Sequence, residues 1–109
     1  MNSKETIIVG NLKIIIRPDP DLADEAKWYR GQLEEYARSI RDAAHREDFQ
    51  IVQEIGHRLK GSAVSFGFDE ASEIGRFLEQ SAKNNDAVSV KKGSDRLSDY
   101  LECVELISE

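Results

Sequence analysis

Cysteine is nearly absent: Cys103 is the single one among 109 residues, so no internal disulfide can staple this chain. No charged segment followed by a short apolar run opens the sequence, and with the lone cysteine this predicts a cytoplasmic protein. No stretch of about 18 apolar residues occurs, which excludes a membrane-spanning helix within this sequence. Positive charge is also scarce, with 15 Lys and Arg against 21 Asp and Glu and a formal net charge of −6. Phosphate binding rests on a basic face, so nucleic acid and anionic membrane are disfavoured and another protein is the better partner. There is no glycine-rich phosphate loop, and no metal-ligand spacing of the HExxH or CxxC kind. The only prolines, Pro18 and Pro20, lie close together near the start, leaving the rest free to be helical.

What is present suits one domain over residues 1–109, with 39% hydrophobic and 33% charged residues and no internal repeat. "TIIVGNLKIII" holds two β-branched runs, Thr6 to Val9 and Leu12 to Ile16, joined by Gly10-Asn11. That dipeptide suits a two-residue turn and predicts a β-hairpin over 6–16. "RPDPD" then ends any strand, and Asp19 or Asp21 can cap a first helix. Its apolar stripe is Leu22, Ala26, Tyr29, Leu33, Tyr36, Ala37, Ile40 and Ala44. Asp48 caps a second helix with Phe49, Val52, Ile55, Leu59, Ala63 and Phe66 inward, closed by Gly67. Asp69 opens a third, with Ala71, Ile74, Leu78 and Ser81 inward, and "KNND" ends it. A fourth is expected from about Asp86 to Leu106, with Val90, Leu97, Leu101 and Val104 inward. Four such helices on short loops predict an all-α fold, an antiparallel up-and-down bundle over about 21–106 behind the short hairpin. The hairpin is too small to stand alone, and its isoleucines need cover from the bundle, a neighbouring domain or a second copy.

Within the second helix, "GHRLKGSAVSFGF" carries chemistry on the face opposite the core. At about 100° per residue, His57 points roughly 150° away from the inward stripe, towards solvent. Lys60 and Gly61 follow one turn on, and Val64 one turn further. A glycine inside a helix costs about 1 kcal/mol relative to alanine, so an outward Gly61 calls for a reason, and close approach of another backbone supplies one. A neutral imidazole is a nucleophile near pH 7, and Lys60 could steady a phosphoryl group passing to or from it. For attack through Nε2 the proton must sit on Nδ1, which needs an acceptor. Glu79 on the third helix is the candidate, with Gly75 letting the two helices come close.

"HRLKGSAVSFGFDEASEIGRFLEQSAKNND" closely resembles the core of histidine-containing phosphotransfer (HPt) domains of multistep phosphorelays. The shared pattern is His57, Lys60, Gly61, Ser62, Ala63, Gly67, Gly75, Leu78 and Glu79. "PDPDL" and "DFQIVQEIGH" resemble a bacterial subgroup with a β-hairpin ahead of the bundle. The resemblance implies a phosphocarrier without kinase activity of its own. His57 would accept a phosphoryl group from one receiver domain's phosphoaspartate and pass it to another receiver's aspartate. Lys60 would contact the phosphoryl group, Glu79 would orient the imidazole, and Gly61 would leave room for docking. The implied partners are response-regulator receiver domains, in a stand-alone setting or a hybrid sensor kinase. No cofactor is implied, the divalent metal belonging to the receiver, and a monomer is expected.

Plainer roles compete for several residues. His45 lies on another helix without a motif and is read as a solvated surface residue. Arg58 and Arg46 are ordinarily solvated, although Arg58 beside the site could meet a receiver's acidic pocket. Val64 draws attention only through its place by the site. Cys103 reads as a small packing residue. Trp28, on the outer side of the first helix, would suit a docking or dimer surface. The alternative function is an adaptor bundle that binds a receiver or kinase without phosphorylation, yet such a protein has no need of a nucleophile at its docking centre.

Overall fold

The computed structural model describes residues 6–9 by their backbone and residues 13–107 in full. The described elements are β1 (Thr6–Val9), β2 (Lys13–Ile16), a 3-10 turn (Pro20–Leu22), α1 (Ala23–His45), α2 (Phe49–Ser62), a second 3-10 turn (Ala63–Phe66), α3 (Asp69–Lys83), α4 (Ala87–Cys103) and β3 (Val104–Leu106). Each helix packs on its sequence neighbours, and α4 closes the ring against α1. This is the expected four-helix bundle with its small N-terminal strand pair.

The helix ends follow local chemistry. Asp19 accepts from the Asp21 N–H at 2.9 Å, so the chain turns through Pro20–Leu22 before α1 starts, and Leu22 is left exposed rather than inward. Asp48 and Asp86 cap α2 and α4 through the N–H groups of Ile51 and Ser89. The loops before them share one design: Glu47 and Asn85 adopt left-handed φ of 54° and 52°, and the backbone N–H groups of Asp48 and Asp86 donate back to the Ala43 and Ser81 carbonyls. Asparagine tolerates that conformation better than glutamate does. α3 begins at Asp69 as expected, but its cap position is Phe68, which makes no side-chain cap and is fully buried.

The core is built from the expected stripes, with Leu33, Ile40, Val52, Leu59, Ile74, Leu78, Val90 and Leu97 all fully buried. Phe68 and Tyr100 join it from outside those stripes. At the end of α2 the helix tightens to 3-10 geometry from Ala63, and Gly67 stops it at φ 90°.

The largest departure is at the C-terminal end. α4 stops at Cys103 rather than near Leu106, and Val104 turns extended at φ −78°, ψ 136°. Val104–Leu106 becomes β3, parallel to β2, with Ile14 opposite Val104 and Ile16 opposite Leu106. The edge of β2 offers backbone groups that a helix continuing to Leu106 would leave unpaired, and Val104 still points into the core. β2 is thus the middle strand of three, antiparallel to β1 with Val9 opposite Lys13. Of the expected second strand, Lys13–Ile16 is described, and Leu12 and the Gly10-Asn11 turn lie outside the described residues. Ile16 is 1% exposed and part of the core, so the bundle itself covers this isoleucine of the strand pair.

Candidate functional site

The site lies on the seam between α2 and α3. A Cβ placed on Gly56 would stand 2.8 Å from both the Glu79 nitrogen and the Gly75 oxygen, so the two backbones touch there. That contact sets Glu79 beside His57. His57 Nδ1 lies 2.9 Å from Glu79 Oε2, and Lys60 Nζ donates to Glu79 Oε1 at 2.7 Å. Lys83, one turn along α3, places its Nζ 3.8 Å from Oε2.

Exposure and charge separate the roles of these groups. The His57 side chain is 68% exposed, whereas that of Glu79 is 9% exposed. The hydrogen bond from Lys60 holds the Glu79 carboxyl below the usual carboxylate range; desolvation opposes this, while the His57 hydrogen bond and the charges of Lys60 and Lys83 assist it. An ionised carboxylate can only accept, so His57 Nδ1 carries the proton. The lone pair is then on Nε2, in a ring open to solvent.

A second layer fixes this end of α2. Ser72 Oγ on α3 donates to the Lys60 carbonyl at 2.8 Å. Ser62 Oγ donates to the Arg58 carbonyl at 2.7 Å and lies 2.6 Å from the Tyr29 hydroxyl on α1. Tyr29 in turn stacks on Phe66 with ring centroids 4.6 Å apart. The backbone carrying Arg58 to Ser62 is therefore tied to both flanking helices.

The remaining expected residues have these places. Gly61 is exposed, and a Cβ there would meet nothing within 4 Å. Arg58 is exposed and lines a shallow depression with Gln53, Glu54, His57 and Glu79. Val64 is 39% exposed but belongs to the 3-10 turn, so it does not extend the α-helical face as a further regular turn. Trp28 is exposed at 66%, its ring tilted against Tyr29. His45 is exposed near the end of α1, away from the α2–α3 seam. Among the described residues, no group of three or more His, Cys, Asp or Glu could hold a metal, and no helix is long and apolar enough to cross a membrane.

A family model described as "Hpt domain" matches residues 26–106. The chain belongs to the Hpt-domain family. Two curated proteins are similar to it, both named Phosphorelay protein LuxU and both from Vibrio vulnificus, strains YJ016 and CMCP6. Each is 32% identical over 60 residues, which is 55% of this chain and 52% of the relative. The chain thus spans about half the length of the curated relatives it matches. No solved structure gives a significant match.

In this Hpt domain three groups at the site, Gly56, Ser72 and Lys83, lie outside the expected set. Gly56 precedes His57 directly, and a second mid-helix glycine five residues before Gly61 was a signal of close packing. Ser72 and Lys83 gave no comparable sign, because a serine or lysine on a helix is ordinarily solvent-facing.

Proposed function

We propose that this Hpt domain carries phosphoryl groups on His57 between the aspartates of two response-regulator receiver domains. The single observation that carries the reading is the His57–Glu79 pair: an exposed imidazole whose Nδ1 proton is held by a carboxylate, leaving Nε2 as nucleophile. In the forward step the Nε2 lone pair attacks phosphorus of the receiver's aspartyl phosphate. An N–P bond forms, the P–O bond breaks, and the aspartate departs as carboxylate with the electron pair. The ring gains formal positive charge while keeping its Nδ1 proton, and the adjacent Glu79 carboxylate offsets that charge. Transfer to the second receiver is the same step reversed.

Lys60 lies one turn along α2 from His57 and is 37% exposed, placed to steady the phosphoryl oxygens once it releases Glu79. Gly61 keeps the adjoining surface free of side chain, and Arg58 and Val64 border it as docking contacts. On this reading the receiver brings the divalent metal and the domain needs no nucleotide. It works as a monomer in the cytoplasm, alone or within a hybrid sensor kinase.

The test is transfer itself. Incubation with a phosphorylated receiver should place an acid-labile, base-stable phosphate on the wild-type protein and none on His57→Gln. Absence of transfer from every plausible cognate receiver would overturn the reading in favour of a phosphorylation-independent adaptor.

A further inference from the structure

The carboxylate of Glu79 is shared by more cations than one imidazole requires. Oε1 faces Lys60 at 2.7 Å; Oε2 faces His57 at 2.9 Å and Lys83 at 3.8 Å. Lys60 therefore occupies Glu79 in the unphosphorylated protein, while Lys83 stands beyond hydrogen-bond distance. Around the ring the charged groups are Glu54, Arg58 and Lys60 on α2 and Glu79 and Lys83 on α3. Glu54 and Lys83 both line the adjoining depression.

A phosphoryl group on Nε2 brings about two negative charges to a site one helical turn from Lys60. The phosphoryl oxygens then compete with Glu79, 2.7 Å from Lys60 Nζ, for the same ammonium. We propose that phosphorylation of His57 exchanges the lysines on Glu79, Lys60 turning to the phosphoryl oxygens and Lys83 closing onto the vacated carboxylate. Lys83 is thus a positioning residue: it keeps Glu79 paired and aimed at Nδ1 during the phosphorylated half of the cycle. This rests on the phosphocarrier reading and adds to it a residue outside the HxxKG pattern.

The consequence is a role that depends on state. With Lys60 on Glu79, loss of Lys83 changes little. With Lys60 withdrawn, loss of Lys83 leaves Glu79 uncompensated beside the phosphorylated ring. That raises the share of phosphorylated rings that hold the Nδ1 proton at pH 7, and the protonated ring is the better leaving group when water attacks phosphorus, the N–P bond breaks and the ring nitrogen recovers its electron pair.

The experiment uses phosphoramidate, whose P–N bond breaks and whose nitrogen leaves as ammonia when Nε2 attacks. Phosphohistidine lifetime is measured at pH 7 for wild type, Lys83→Met and Lys83→Arg, and the His57 tautomer is read by nitrogen NMR before and after phosphorylation. Lys83→Met should lose the phosphate about threefold faster, the scale of one solvated charge at about 6 Å. Lys83→Arg should restore the lifetime, and the unphosphorylated His57 spectrum of Lys83→Met should match wild type. A wild-type lifetime in Lys83→Met, or an equal spectral change in both states, overturns the exchange. Failure of His57 to take up phosphate in the wild type overturns the carrier reading itself.

Discussion

Gly56 and Gly75 oppose each other across the α2–α3 seam with no space for a side chain: a Cβ on Gly75 would stand 2.8 Å from the Gly56 oxygen, 2.8 Å from the Lys60 nitrogen and 2.5 Å from the Leu59 Cβ. Two of those neighbours are backbone atoms and cannot yield cheaply. One turn beyond Gly75, Glu79 meets His57, so the spacing of the two helices sets the geometry of the site.

Gly75→Ala should therefore be destabilising. Overpacking costs about 1–3 kcal/mol, partly offset by the roughly 1 kcal/mol that alanine gains over glycine in a helix. A lower urea midpoint is expected, with a weakened His57–Glu79 contact visible in the imidazole NMR signals. An unchanged midpoint would show that the seam can open without loss.

Gly61 should respond with the opposite sign. It is also helical, but a Cβ there meets nothing within 4 Å. Gly61→Ala should raise stability by about 0.5–1 kcal/mol in urea titration. Gly61→Glu should keep the helical circular dichroism while blocking transfer from a phosphorylated receiver, since bulk and charge then fill the docking surface. Undiminished transfer would remove Gly61 from that surface.

Acid should weaken the fold partly through Glu79. Its folded-state pKa lies below the reference 4.5, with the Lys60 hydrogen bond as the leading cause. Its contribution is therefore present above about pH 4.5 and is lost as pH falls through the lower folded value. Asp86, held low mainly by the Ser89 side chain, acts with the same sign. Urea midpoints measured from pH 7 downward should fall less steeply in Glu79→Gln than in wild type. Parallel curves would contradict the assignment.

Phe68 should be a main support of the bundle. It is fully buried and its ring lies 6.0 Å from that of Tyr29, tilted by 31°. Phe68→Ala should cost about 3–5 kcal/mol by urea denaturation. A loss below about 1 kcal/mol would mean that the core refills the space.

The helical part of the fold was legible because its information is local. Val52, Ile55 and Leu59 recur at helical spacing, and Asp48 stands where a cap must stand; neither depends on anything distant. Phe68 could be expected in the core only from its aromatic side chain, because between a stop glycine and a helix start periodicity assigns no face. At the site, His57, Lys60 and Gly61 lie within one turn and a half, so their common outward face could be read directly. Glu79 is 22 residues from His57, and its place followed from the antiparallel arrangement of α2 and α3.

By itself the sequence determined four amphipathic helices, the Asp48 and Asp86 caps of α2 and α4 and an outward histidine, because side-chain periodicity and capping act over a few residues. Tertiary structure alone decided that Val104–Leu106 leave α4 to pair with β2, a partner about 90 residues away whose open edge outcompetes further helix. It also decided that Gly56 and Gly75 touch, that Glu79 is buried and ionised, and that Lys60 and Lys83 converge on it. Burial and charge pairing depend on which surfaces meet, and that is settled only when the helices pack.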